Sequence, residues 1–245
     1  MAKYTGANVG FFLIDGYELT GYTIDITHNV EATTEESHTL GDAWAENTSV
    51  ALNKFQFDQN GFFDDDVGAS NEALVAMAGT QRQVALSIEG NTLGKKYIAA
   101  VGAVESKYSR TAARGALHKG NATHMGSGAV EEGLIHTPLG SLAGSSGDGT
   151  AIDNGALTSN GGVAHMHVSQ LALGGYTNIA LKVRHSVDNI TYADLATFTA
   201  VTAAPAAQRV VVNGTVNRYT RSNWAYGGAG SGQSVTAFIG FKRNP

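Results

Sequence analysis

Between Phe55 and Tyr97 the chain reads FQFDQNGFFDDDVGASNEALVAMAGTQRQVALSIEGNTLGKKY, which packs strand, acidic turn, short helix and strand into one unit with no catalytic constellation. Phe55 and Phe57 recur at period two, the mark of a strand with one buried face. They lead through Gly61-Phe62-Phe63 into three consecutive carboxylates, Asp64, Asp65 and Asp66. Ser70 is placed to cap a helix over 71–78, where Leu74, Met77 and Ala78 fall at three-to-four spacing and Gly79 stops the run. The period then changes: Val84, Leu86 and Ile88 alternate with Gln83, Ala85, Ser87 and Glu89, predicting a strand with one apolar and one mostly polar face.

A chain of 245 residues with 42% apolar content can bury one large core or two modest ones. Its 31 Gly, 3 Pro and 15% charged residues describe a β-rich protein with many tight turns, because disorder needs more charge and more Pro. With no Cys, disulfides and thiolate metal sites are excluded. Asp15 and Glu18 interrupt the apolar start, so neither a signal-peptide core nor a membrane span is predicted, and a soluble protein made in a cytoplasm is expected.

Charge is unevenly spread. Residues 1–66 hold 12 acidic and 2 basic side chains, and the rest hold 9 acidic and 14 basic. The two regions can attract each other between copies, while the acidic block opposes ordinary nucleic-acid binding, which needs clustered Lys and Arg.

The texture changes near Pro138. Residues 141–162 are rich in Gly, Ser, Asn and Asp without a sustained period and read as a linker between a first domain, 1–140, and a second, 163–245. The first holds strand candidates near 9–14, 22–28, 48–58, 82–89, 97–108 and 116–135. The second holds Val163–Leu171, Ile179–Ser186, Tyr192–Phe198, Arg209–Val216, Arg218–Trp224 and Ser234–Phe241, a regular spacing that favours a sandwich. The fold expected is all-β with one short helix.

Chemical alternatives are thin. His165 and His167 sit two apart on one strand face, a spacing that holds a metal when further ligands arrive from elsewhere, but no Cys or ordered carboxylate partner stands nearby. Asp64, Asp65 and Asp66 lack the terminal Glu of a calcium loop and read as an acidic turn. No nucleophile elbow, Walker loop or dinucleotide fingerprint is present, so no enzyme, cofactor or metal is expected.

GFFDD before a short helix, then EGNTLGKKY, GAVESKYSR, AARGAL and AVEEGLI, and finally KVRHSVDNITYADLATFT with GTVNRYTR, resemble the major tail (tail tube) proteins of long-tailed bacteriophages. The resemblance implies a tail-tube β-barrel or sandwich domain followed by a C-terminal β-sandwich domain. It also implies homo-hexameric rings that stack into a tube in the virion, assembled in the host cytoplasm with tape-measure and tail tip or terminator proteins. Viral DNA would cross the bore without specific binding.

Under that resemblance a lumen wall should be polar and uncharged or negative, because attraction at many sites acts as friction on a passing polyanion. Gln83, Ser87 and Glu89 are the first candidates, and Glu105, Lys107 and Ser109, in phase on the next long strand, are the second. The long segment from Asn29 to Thr48, with Glu31, Glu35, Glu36, Asp42 and Glu46, is expected to be an arm reaching a neighbouring ring, anchored by Trp44. A second function class stays open: a carbohydrate-binding sandwich using Tyr192, Tyr219, Trp224 and Tyr226, which exposed, coplanar rings would support.

Overall fold

The computed structural model describes residues 9–32, 34–37, 46–49, 54–77, 79–126, 128, 130–142 and 144–245. The strands are β1 (Phe11–Ile14), β2 (Tyr17–Glu18), β3 (Thr23–Glu31), β4 (Thr34–Ser37), β5 (Glu46–Ser49), β6 (Lys54–Phe62), β7 (Gln81–Ser87), β8 (Lys96–Thr111), β9 (Lys119–Gly126), β10 (Val130–Ser141), β11 (Gly147–Asp148), β12 (Ile152–Asp153), β13 (Gly162–Ala172), β14 (Asn178–Ser186), β15 (Ala193–Thr197), β16 (Ala206–Val212), β17 (Tyr219–Gly227) and β18 (Ser234–Arg243). Among the described residues one α-helix, α1, spans Ser70–Met77, between β6 and β7. The fold of the described residues is all-β with a single short α-helix, as composition and residue spacing together predict.

The division of the chain differs from the expected cut at 140. One compact unit is built from residues 1–21, 83–100 and 130–245, the other from 22–82 and 101–129. The expected 141–162 linker carries β11 and β12, which pair with β17, and Ser145 O accepts the Trp224 indole N–H at 2.8 Å. Its Gly and Ser serve tight turns along a sheet edge. The strand expected over 116–135 is two strands, β9 in one unit and β10 in the other.

In the larger unit one sheet runs β16-β13-β18-β10-β8-β7-β1-β2, and a second joins β15, β14 and β17. Ala164, Met166 and Val168 on one face of β13 pack with Ile179, Leu181, Val183 and Phe241 to fill the space between the sheets. The other face of the first sheet buries Phe11, Leu13, Tyr97, Ile135 and Phe238. β7 therefore departs from the alternation read in its sequence: Val84, Ala85, Leu86 and Ser87 are all buried, as in a strand covered on both faces.

The first sheet curls until the β1–β2 turn meets β13 and β16. Gly16, with φ of 94°, donates its N–H to His167 Nδ1 at 3.2 Å, and a Cβ there would stand 2.4 Å from Ala206 N. Only glycine tolerates both the left-handed backbone and that approach. His165 Nε2 lies 2.7 Å from Glu131, which also accepts a forked pair of hydrogen bonds from Arg209 at 2.6 and 3.0 Å. Both histidines thus serve packing and internal hydrogen bonding.

Among its described residues the smaller unit holds a four-stranded antiparallel sheet in the order β3-β6-β9-β8, with α1 packed against β9, and the β4–β5 ribbon. Ser70 does not cap α1 as its sequence position suggests. Its hydroxyl donates to Phe62 O at 2.8 Å and accepts Asp64 N–H at 3.1 Å, which ties the acidic turn to the end of β6. Gly68 N–H donates instead to Glu72, in the first helical turn, at 2.6 Å.

Candidate functional site

Strand β6 reads KFQFDQNGF, and its side chains alternate between two very different environments. Phe55, Phe57 and Gln59 are buried on one side, whereas Gln56, Asp58 and Asn60 point to the other. Because directly opposed residues of an antiparallel pair share a face, the register extends this pattern across the whole sheet. Asn29, Thr27 and Asp25 of β3 oppose Gln56, Asp58 and Asn60, and Thr123 and Asn121 of β9 oppose Asp58 and Asn60. Lys107 and Ser109 of β8 continue the rows beside Thr123 and Asn121.

The result is an open face of amides, hydroxyls and charged groups, with exposed Phe62 and Met125 toward its two ends. Asp58 accepts from Gln56 at 2.6 Å and from Thr123 at 2.8 Å, and Asn60 donates to Asp25 at 2.7 Å. These short bonds occupy carboxylate oxygens within the face and hold the side chains flat along the sheet. Three carboxylates on it, Asp25, Glu31 and Asp58, balance three ammonium groups, Lys54, Lys107 and Lys119. The unit as a whole carries twelve acidic against six basic residues.

The rear of the same sheet is closed. Phe55, Phe57, Ala122, His124 and Glu105 are buried there, and Tyr108 Oη lies 3.2 Å from Asn71 on α1. Burial pushes the His124 imidazole down to about 4 and lifts the Glu105 carboxyl to about 7. At the sheet's end, β3 pairs with β6 on one side, and no other strand pairs with it among the described residues.

The sequence-predicted wall residues divide three ways. Lys107 and Ser109 lie on the polar face. Glu105 does not: a bulge between Glu105 and Lys107 sets them opposite His124 and Thr123, consecutive residues of β9 that point to opposite sides. Gln83, Ser87 and Glu89 belong to the larger unit. Ser87 is sealed inside it, its hydroxyl 2.8 Å from Gly90 O and 2.9 Å from Lys96 O, so it cannot line a channel. Gln83 is half-buried, and the half-buried Glu89 accepts the Lys96 N–H at 3.4 Å. Spacing alone does not single out Asp25, Thr27, Asn29, Asn121 and Thr123, whereas the alternation in KFQFDQNGF carries the signal for the central row, Gln56, Asp58 and Asn60.

Of the predicted arm, Glu31 ends β3 and is exposed. Glu35 and Glu36 on β4 and Glu46 on β5 lie in a two-stranded antiparallel ribbon. Asp42 and Trp44 lie outside the described residues. The carboxylates of Asp64, Asp65 and Asp66 approach within 4.8 Å of one another, with Asp66 N–H donating to Asp64 at 3.0 Å, the geometry of an Asx turn. The sugar-stacking alternative loses its platform: Tyr192 and Trp224 are buried, Arg218 covers Tyr219, and Tyr226 packs on Tyr176.

No protein-family model matches the sequence, and no curated protein matches it. Among solved structures, the chain is similar to one in the virion of a native gene transfer agent particle, at 15% identity and TM-score 0.42, over 53% of this chain and 97% of that one. It is similar to a chain in the tail of an empty gene transfer agent particle, refined with C6 symmetry, at 12% identity and TM-score 0.43, over 52% and 97%. It is also similar to the SPP1 Dit protein, a hub of the adsorption apparatus in phages that infect Gram-positive bacteria, at 12% identity and TM-score 0.37, over 95% and 98%. No helix among the described residues is long and apolar enough to cross a membrane.

Proposed function

We propose that this chain is a structural protein of a phage-type virion tail, without a catalytic step, and that the polar face of the β3-β6-β9-β8 sheet lines the tail channel. The carrying observation is the contrast between the two faces of β6, with buried Phe55 and Phe57 behind and Gln56, Asp58 and Asn60 in front. A soluble sheet satisfies its free face with any charged residues. This one mixes neutral amides and hydroxyls with equal numbers of acidic and basic groups, in a unit of negative net charge. Such a wall offers a hydrated surface to a passing polyanion and no cluster of cations to bind its phosphates.

In this reading copies join side by side in a hexameric ring, and rings stack into the tube, with tape-measure and tail tip or terminator proteins as further partners. β3 supplies an edge with no second strand partner among the described residues, with Ile24 and Val30 exposed along it, a surface that a neighbouring copy covers. Four alternating strands leave β3 and β8 opposed in direction. Copies set side by side in one orientation then keep the antiparallel pattern across every joint.

Negative-stain microscopy and light scattering of the purified chain test the proposal. Tubes or six-fold rings are expected, and a chain that stays solitary at high concentration and is missing from virus particles overturns it.

A further inference from the structure

Four Asn-Gly pairs occur in the sequence, at Asn60, Asn154, Asn160 and Asn213, and the fold treats one of them differently from the other three. Asn60 lies within β6, where its amide donates to Asp25 at 2.7 Å and the following Gly61 N–H points at Asn121 Oδ1 at 3.4 Å. The Asn154 amide donates to Arg218 O at 2.9 Å and Thr220 at 3.0 Å, and the next N–H, of Gly155, is donated to Asp153 at 2.8 Å. Asn160 donates its amide to Pro245 O, and Gly161 behind it is buried, with a Cβ position 2.0 Å from Val212 O.

Asn213 stands in the turn between β16 and β17. Asn213, Gly214 and Thr215 are all exposed, and no hydrogen bond holds the Asn213 side chain or the Gly214 N–H among the described residues. Gly214 has φ of 87°, and nothing lies within 4 Å of where its Cβ would be. The reacting groups are therefore adjacent, unhindered and free to rotate into contact.

We infer that Asn213 is a site of spontaneous deamidation, and that this fold protects the other three Asn-Gly pairs from the same reaction. The Gly214 nitrogen attacks Asn213 Cγ and forms the ring C–N bond of a succinimide. The side-chain nitrogen departs as ammonia, carrying the proton that Gly214 loses. Water then opens the ring to aspartate or isoaspartate. No electrons are transferred, and water is the only co-reactant. At the other three sites the same attack first requires breaking the hydrogen bonds that fix the amide or occupy the nucleophilic N–H, or moving a backbone away from buried Gly161. The product places a new negative charge where the edge strand β16 ends. This holds whether or not the chain builds a tail.

The test is to incubate the folded full-length chain in mildly alkaline buffer, digest it, and read the exchange of NH2 for OH at each Asn-Gly by tandem mass spectrometry. Asn213 is expected to convert at least about tenfold faster than each of the others, the factor set by roughly one lost hydrogen bond. In urea-unfolded chain the four rates should converge, with that of Asn213 nearly unchanged. A folded chain in which Asn60, Asn154 or Asn160 leads, or in which Asn213 is slowed well below its unfolded rate, overturns the inference. As a second readout, Asn213→Gln should remove the first acidic variant seen on isoelectric focusing; persistence of that variant at the same rate also overturns it.

Discussion

Glu105 and Lys107, two residues apart on one strand, face opposite sides of the β3-β6-β9-β8 sheet. Ser106 is the extra residue between them, because Glu105 opposes His124 while Lys107 opposes Thr123. A strand without the bulge would have set both side chains on one face. The bulge thus buries a carboxylic acid in the rear layer and leaves an ammonium group on the open face.

That separation is directly measurable, since the chain contains no Cys. Single Lys107→Cys and Glu105→Cys variants should differ in thiol labelling under native conditions. The Lys107 position should react as fast as an unfolded peptide, and the Glu105 position roughly a hundredfold more slowly, because it is reached only through local opening. Equal rates would place the two side chains on one face.

The Glu105 carboxyl gives a pH dependence of known sign. Burial raises it from 4.5 to about 7, so the folded state holds this proton more tightly than the unfolded state. Its contribution is fully present below about 4.5 and is lost as pH rises through about 7. Urea midpoints should fall between about pH 4.5 and 7 in the parent chain and level off above that range, a loss of at most about 3 kcal/mol. In Glu105→Gln that slope should flatten; an unchanged slope would assign it to another group.

Glu131 runs the opposite way. Burial pushes its carboxyl up, but hydrogen bonds from Arg209 and His165, with their charges, outweigh this and hold it at about 2. The stabilisation is present above the usual 4.5 and is lost as pH falls through about 2. Glu131→Gln should cost about 3 kcal/mol in denaturant unfolding, because it leaves the Arg209 and His165 groups short of their shared acceptor. A loss below about 0.5 kcal/mol, the size expected of a surface change, would show that the cluster contributes little.

The exposed edge separates assembly from stability. Ile24 and Val30 are 51% and 55% exposed on β3. Replacing both with Lys should leave the unfolding midpoint of the single chain within about 0.5 kcal/mol while abolishing rings or tubes, because edge lysines oppose strand addition. Assembly that survives the double change would remove β3 from the proposed joint.

The strand pattern was largely legible in the sequence because alternation is local. VAHMHVSQL, IALKVRHS and SVTAFIGF each announce a strand through spacing alone, and each forms one. Phe55 and Phe57 likewise fixed which side of β6 is buried. What the sequence could not supply was everything that depends on distant partners. The burial of Ser87 and Ala85 follows from cover on both faces of β7, which a period-two reading cannot detect. The opposite fates of Glu105 and Lys107 depend on one unpaired residue in a ladder with β9. The division into units follows from β10 pairing with β18, more than ninety residues along the chain, so no composition shift near Pro138 could mark it. Local propensity sets where a strand begins and ends, whereas which of its faces meets water is decided by the strands and helices that the rest of the chain folds against it.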